Sequence, residues 1–277
     1  YLIDKGLVDP KNILALTFTN KASQEMKSRV HKLVKVNDGL ITMGTFHSVC
    51  ARILRQDIHH LGYTSDFSIF DIQDQISLLK IILEEMKIPK TQISPQEIKN
   101  RISYYKNKLI SPSGALKKAS LVIDKTYAAI YKTYQLELEK NNAVDFDDLL
   151  LLPLELFKKH SEILSKYQNI WKYILVDEYQ DTNKPQFMLV KLLSGANQQV
   201  CVVGDDDQSI YGWRGADIRN ILDFKKIFDK CDVFKLEKNY RSTGNILDAA
   251  ISVVRNNDNR APKELKSNDG PGDKLGL

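Results

Sequence analysis

Ile174-Leu175-Val176-Asp177-Glu178-Tyr179-Gln180-Asp181 runs apolar and then turns abruptly acidic. A short apolar run bounded by polar residues reads as a strand buried on both faces. Working outward, similar runs occupy Asn12-Ile13-Leu14-Ala15-Leu16-Thr17-Phe18-Thr19, Leu40-Ile41-Thr42-Met43, Gln199-Val200-Cys201-Val202-Val203 and Val233-Phe234-Lys235-Leu236. Helical patterns separate them. One begins after Asn20, read as a helix cap, with Ala22, Met26, Val30 and Leu33 as its apolar face. Continuous apolar strands alternating with helices imply an α/β fold around a parallel sheet. Between about residues 50 and 165 helical patterns dominate, broken at Pro89, Pro95, Pro112 and Gly114, and this stretch reads as a helical insertion.

Each expected strand closes on a polar cluster. The five are Thr19-Asn20-Lys21, Thr45-Phe46-His47, Asp177-Glu178, Asp205-Asp206-Asp207-Gln208 and Asn239-Tyr240-Arg241. Ligands of open parallel sheets bind outside the carboxyl ends of the strands, so all five clusters are expected to meet along one rim. The Asp177-Glu178 pair is the most specific of them. A first carboxylate can hold Mg²⁺ across the β- and γ-phosphates of a nucleotide, and a second can orient or deprotonate the attacking water. A solvated acidic turn is the competing reading of a bare Asp-Glu pair. The apolar strand before it and the Tyr-Gln-Asp after it favour the site.

Composition allows this chemistry without requiring it. A net charge of +5 suits an anionic partner such as nucleic acid and equally a solvated basic surface. No apolar run approaches the roughly 20 residues that span a bilayer. The three cysteines, Cys50, Cys201 and Cys231, form no CxxC pair, which argues against a disulfide scaffold or zinc site and fits a reducing, cytoplasmic setting.

Longer strings carry a resemblance. Asp177-Glu178-Tyr179-Gln180-Asp181-Thr182-Asn183 resembles the Walker B motif of UvrD/Rep-type superfamily 1 DNA helicases. Gly204-Asp205-Asp206-Asp207-Gln208-Ser209-Ile210-Tyr211-Gly212-Trp213-Arg214-Gly215-Ala216 is similar to their third motif, and Leu236-Glu237-Lys238-Asn239-Tyr240-Arg241-Ser242-Thr243 to their fourth. Leu16-Thr17-Phe18-Thr19-Asn20-Lys21-Ala22, Gly44-Thr45-Phe46-His47 and Val144-Asp145-Phe146-Asp147-Asp148-Leu149-Leu150 match further signatures of the family. Two departures are small: Tyr179 stands where phenylalanine is frequent, adding one hydroxyl, and Ser23 where alanine is common.

The resemblance implies an ATP-dependent DNA helicase with a RecA-like parallel sheet, using ATP and Mg²⁺ to move 3′ to 5′ on single-stranded DNA in repair or replication. It assigns Asp177 to Mg²⁺, Glu178 to the catalytic base, Gln208 to γ-phosphate sensing, Arg241 to an arginine finger and Tyr240 to adenine stacking. Arg214 would couple nucleotide to DNA, partly by pairing with a carboxylate. Phe18, Tyr211 and Trp213 would stack on bases, while Thr19, Asn20, Lys21, Thr45 and His47 would touch phosphates. Lys99, Arg101, Lys106 and Lys108, beside Tyr104 and Tyr105, read as a solvated helix face or a duplex contact. Residues 1–50 and 166–238 are expected to form the first motor domain, 51–165 the helical insertion and 239–277 the start of the second motor domain. Partners would be single-stranded DNA, single/double-strand junctions and repair or replication proteins, with no membrane.

A phosphate-binding loop needs Gly-x-x-x-x-Gly-Lys-Ser/Thr, and no Gly-Lys pair occurs in the sequence. The chain is therefore expected to be a fragment with little ATPase of its own. A non-catalytic single-strand-binding remnant and the motor part of a helicase–nuclease are the alternative readings. A two-metal nuclease leaves Gln208, Arg214 and Arg241 without a role.

Overall fold

Four parallel strands form the main sheet, in the order β2-β1-β5-β6. In chain order the strands are β1 (Ile13–Thr17), β2 (Thr42–Thr45), β3 (Ser68–Phe70), β4 (Ala143–Asp145), β5 (Tyr173–Val176), β6 (Val200–Val202), β7 (Lys238–Asn239) and β8 (Lys266–Ser267). The computed structural model describes residues 1–34, 39–89, 92–196, 199–228, 230–257, 260–261 and 263–276. β1 lies between β2 and β5 and is buried along its whole length, as its unbroken Ile-Leu-Ala-Leu run requires. β6 has a strand on one side only, which leaves Cys201 and Val203 exposed.

The helix Asn20–Leu33 carries the chain from β1 over to β2, the crossover that parallel neighbours need. The chain later returns to the other side of β1 as β5, so the strand order reverses between β1 and β5. That reversal marks the crevice where α/β sheets bind ligands. The helices Phe46–Asp57, Asp148–Lys159, Ser161–Ile170 and Lys184–Ser194 share one core with the sheet, among them Leu14, Phe46, Leu156, Ile174 and Val190.

The helices Ile72–Glu85, Pro95–Asn107, Pro112–Lys118 and Val122–Lys140 build a second core around Leu79, Ile82, Ile98, Ile130 and Leu138. The short parallel pair β3–β4 stands at its base. Lys106, expected on a basic surface, is instead fully buried there. Its ammonium lies 2.7 Å from both Asp145 and Asp148. Burial works against that charge, and the two carboxylates more than offset it, holding Lys106 well above the usual lysine range.

Three further expectations are corrected. Residues 233–236 form no strand: Val233, Phe234 and Leu236 are 64%, 85% and 84% exposed. An apolar run becomes a strand only when a neighbouring strand pairs with its backbone, and residues 233–236 join none of the three sheets. Asn239 accordingly ends the two-residue β7, which pairs with β8 outside the main sheet, and Tyr240-Arg241 follow it. The helix after β1 is capped by the Thr19 hydroxyl, which accepts from the Ala22 amide, rather than by Asn20. Leu33 is 83% exposed, and Ser23 is the buried residue of that helix.

Candidate functional site

At the end of β5 the chain enters a left-handed turn. Glu178 sits at φ 51°, ψ 43°, a region that costs a side-chain-bearing residue about 1–2 kcal/mol. Backbone held in such a conformation concentrates at functional sites. The Glu178 amide donates to the Asp177 carboxylate at 3.0 Å, and both side chains are exposed. Among the described residues no Lys or Arg pairs with either acid.

A relay of polar groups leads away from Glu178. The Gln180 side-chain amide donates to Glu178 Oε2 at 2.8 Å, and its oxygen accepts from the Asp205 backbone amide at 3.1 Å. Gly204 makes this approach possible, because any Cβ there would collide with Gln180. Asp205 Oδ2 in turn accepts from Gln208 Nε2 at 2.7 Å. The structure thus joins Glu178 and Gln208, thirty residues apart in the chain, through two intermediaries.

Asp181 extends the link toward the rings. Burial and the Glu178 charge raise its pKa, against the backbone amides of Ile210 and Tyr211, which favour the carboxylate. Tyr211 stacks on Phe18 at the end of β1, with centroids 5.2 Å apart. Trp213 is 76% exposed. The Arg214 guanidinium lies 4.6 Å from the Trp213 ring centroid and 5.2 Å from that of Tyr211. The expected carboxylate partner of Arg214 is replaced by these ring faces, a cation–π arrangement.

A second aromatic stack was missed in the sequence. His47 lies 4.0 Å from Phe146, which is 56% exposed. Phe146 sat within a recognised string, yet nothing local distinguished it from a core aromatic. Burial pushes His47 down to about 4, so at neutral pH it offers a neutral ring rather than a cation. Thr45 is buried, and its hydroxyl caps the next helix by accepting from the Ser48 amide at 3.2 Å. Asn20 and Lys21 are exposed.

Tyr240 and Arg241 stand apart. Both are exposed, and the Asn239 side chain accepts from the Arg241 and Ser242 amides at 2.9 and 2.8 Å. No hydrogen bond, ion pair or ring contact among the described residues links them to Asp177, Glu178 or Gln208. The later segment reaches the rim by other residues. Lys263 lies 3.3 Å from Asp206 and 3.0 Å from Asp207, and also pairs with Asp205, while Arg260 lies 2.8 Å from Asp207. Oxygens of these three aspartates lie within 4.8 Å of one another, a spacing open to a metal ion. Two protein cations, Lys263 and Arg260, already pair with that trio. Burial there is outweighed by Lys263, leaving Asp205 and Asp207 below the usual carboxylate range. Among the described residues, Asp177 and Glu178 pair with no such cation.

A family model described as the UvrD/REP helicase N-terminal domain matches residues 1–229. The ATP-dependent DNA helicase PcrA of Staphylococcus aureus is 48% identical over 275 residues, covering 99% of this chain and 38% of that protein. The protein of the same name from Staphylococcus epidermidis matches to the same extent. The chain therefore spans 38% of the length of the curated relatives it matches.

Proposed function

Because the chain belongs to the UvrD/REP helicase family, we propose that it works as the first motor segment of an ATP-dependent DNA helicase that moves 3′ to 5′ on single-stranded DNA. Residues 1–50 and 166–238 would be the motor domain, 51–165 the helical insertion and 239–277 the start of a second motor domain. The insertion's separate core, from Leu78 to Ala143, supports that division. The setting would be cytoplasmic DNA repair or replication, acting at single/double-strand junctions with the proteins of those processes. No helix among the described residues is long and apolar enough to cross a membrane.

The observation that carries the reading is Glu178. It is exposed, free of cations, held in a left-handed turn at the switch point of the sheet, and wired through Gln180 and Asp205 to Gln208. Asp177, equally free of cations beside it, fits a Mg²⁺ ligand. When bound, that ion would neutralise charge on the β- and γ-phosphates of ATP. Glu178 would take the proton of the attacking water, and Gln208 would meet the γ-phosphate. Tyr240 would stack on adenine. Arg241 would stabilise the transferring phosphoryl group as an arginine finger, brought to the nucleotide by closure of the second motor domain. Its exposed position, with no carboxylate partner among the described residues, suits such a role.

The polymer would lie over Phe18, Tyr211 and Trp213, with Phe146 as a further ring and Arg214 joining rings to nucleotide. A base stacked on an aromatic contributes about 1–3 kcal/mol whatever its identity, which suits a motor that must pass every base. Thr19, Asn20, Lys21, Thr45 and His47 would meet the backbone. His47 does so as a neutral donor, and Thr45 through the helix end it caps.

Two measurements test the reading. In a chain that also contains a phosphate-binding loop, Glu178→Gln should leave ATP binding intact and lower turnover by about two or more orders of magnitude, the scale of losing a general base. Unchanged turnover removes Glu178 from the role. The 277 residues alone should bind oligo(dT) in a salt-dependent manner and hydrolyse ATP poorly. Robust DNA-stimulated hydrolysis by them would refute that expectation.

A further inference from the structure

Asn107 is the last residue of the helix Pro95–Asn107, in the helical excursion and outside every motif of the rim. Its side chain touches three separate segments. Its Nδ2 donates to Asp147 Oδ1 at 3.0 Å and to the Ser103 carbonyl of its own helix at 2.9 Å. Its Oδ1 accepts from Asn183 Nδ2 at 2.8 Å. Gly215 lies beside it, a Cβ there being at ordinary contact distance, 3.5 Å, from the Asn107 side chain.

Those partners matter through what they carry. Asn183 stands five residues past Glu178 and caps the helix Lys184–Ser194, its side chain accepting from the Gln186 amide at 3.0 Å. Its backbone forms an antiparallel bridge with Ala216, next to the Trp213-Arg214 pair. Asp147 follows Phe146, the ring stacked on His47. Lys106, the preceding residue, is clamped between Asp145 and Asp148, which fixes this helix end. Asn107 therefore sits where the helical excursion, the segment after the acids and the ring-bearing loop come together.

The chemistry of the position is narrow. The side chain must donate to a carboxylate on one side and accept from an amide on the other, and a primary amide does both. An aspartate would keep the acceptor for Asn183 and set two carboxylates against each other at Asp147. Such like-charge contact inside a half-buried network is costly.

We propose that Asn107 is a positioning residue: it locks the Trp213-bearing loop to the segment behind Asp177-Glu178, so that the grip on single-stranded DNA depends on the helical excursion. The proposal rests on Trp213 being a base-stacking residue.

The test uses the 277-residue chain with a fluorescent oligo(dT) and acrylamide quenching of tryptophan emission. Exposed Trp213 is quenched readily, and buried Trp171 is not. Asn107→Asp should weaken oligo(dT) binding by about 2- to 30-fold, the range for residues that bias a site without touching its ligand, and should alter quenching of Trp213. The double variant Asn107→Asp with Asp147→Asn restores one donor and one carboxylate between the two positions with their places exchanged. It should recover both binding and quenching, which a loss of general stability would not track. Asn107→Ser, too short to bridge, serves in the same assays if Asn107→Asp does not fold. Trp213→Ala separates the two claims. If Trp213→Ala weakens binding and neither Asn107 variant does, the positioning role is overturned while the stacking role stands. If Trp213→Ala leaves binding unchanged, the stacking role falls and this proposal with it.

Discussion

Two acidic segments follow short strands in this molecule and have opposite surroundings. Asp145, Asp147 and Asp148 come at the end of β4, and Asp177 and Glu178 at the end of β5. The first group closes around a buried ammonium: Lys106 contacts Asp145 and Asp148, the Tyr134 hydroxyl donates to Asp145 at 3.1 Å, and the Asp148 amide donates to Asp145 at 2.9 Å. The second group is exposed, has no protein cation, and one of its two members is in a left-handed turn. The same side chains therefore do different work. Carboxylates supplied with a built-in cation fix the joint between the two cores, whereas carboxylates left without one are available to a metal ion and a water.

The sharpest way to break this contrast is to remove the cation. Lys106→Met leaves at least two carboxylates buried without their partner, and breaking a buried pair in this way costs about 3–5 kcal/mol. Urea denaturation should show that loss. Glu178→Gln, at the exposed pair, should shift stability by no more than about 0.5 kcal/mol. Equal effects at the two positions would dissolve the distinction.

A pH series sharpens it further. Burial, reinforced by Asp145, raises the Asp148 pKa in the folded chain, with Lys106 opposing. The folded state therefore holds this proton more tightly than the unfolded state. The stability it contributes is complete below the unfolded value, near about 3.9, and is lost as pH rises through the higher folded value. Asp148→Asn mimics the protonated form. Relative to the parent, it should gain stability as pH rises from acid toward neutral, at no more than about 1.4 kcal/mol per pH unit, the limit for one proton. Urea midpoints for both proteins at several pH values measure this. A flat difference would mean that folding does not shift the Asp148 pKa.

Much of this arrangement was legible in the residues. Four of the five expected strands form, because unbroken apolar runs such as Ile13–Leu16 and Ile174–Val176 demand burial on both faces. What failed did so for reasons that local pattern does not carry. Val233-Phe234-Lys235-Leu236 has strand composition, but a strand also needs a neighbour. Lys106 looked like one more surface base because its partner Asp145 lies 39 residues away. The carboxylate partner of Arg214 came with the resemblance, and in the structure its guanidinium faces the Trp213 and Tyr211 rings. The links from Gln180 to Asp205 and from Asn107 to Asn183 depend on folded distances alone.

A smaller effect than that of the buried cation concerns a polar group buried without a partner among the described residues. Tyr179, between Glu178 and Gln180, is fully buried with its ring edge-on to Phe224, centroids 5.5 Å apart. Its hydroxyl finds no hydrogen-bond partner among the described residues, and burial alone raises its pKa. A hydroxyl taken out of water without compensation is a cost of about 1–3 kcal/mol, and removing it while keeping the ring preserves the packing. Tyr179→Phe should therefore stabilise the chain by about 1 kcal/mol, raising the melting temperature by about 2–4 °C for a chain of this size. The Lys106 joint predicts the opposite sign for removal of a polar group, since the ammonium there has two carboxylates to lose. A calorimetric scan distinguishes the two: a lower melting temperature for Tyr179→Phe would show that the hydroxyl is satisfied by bound water.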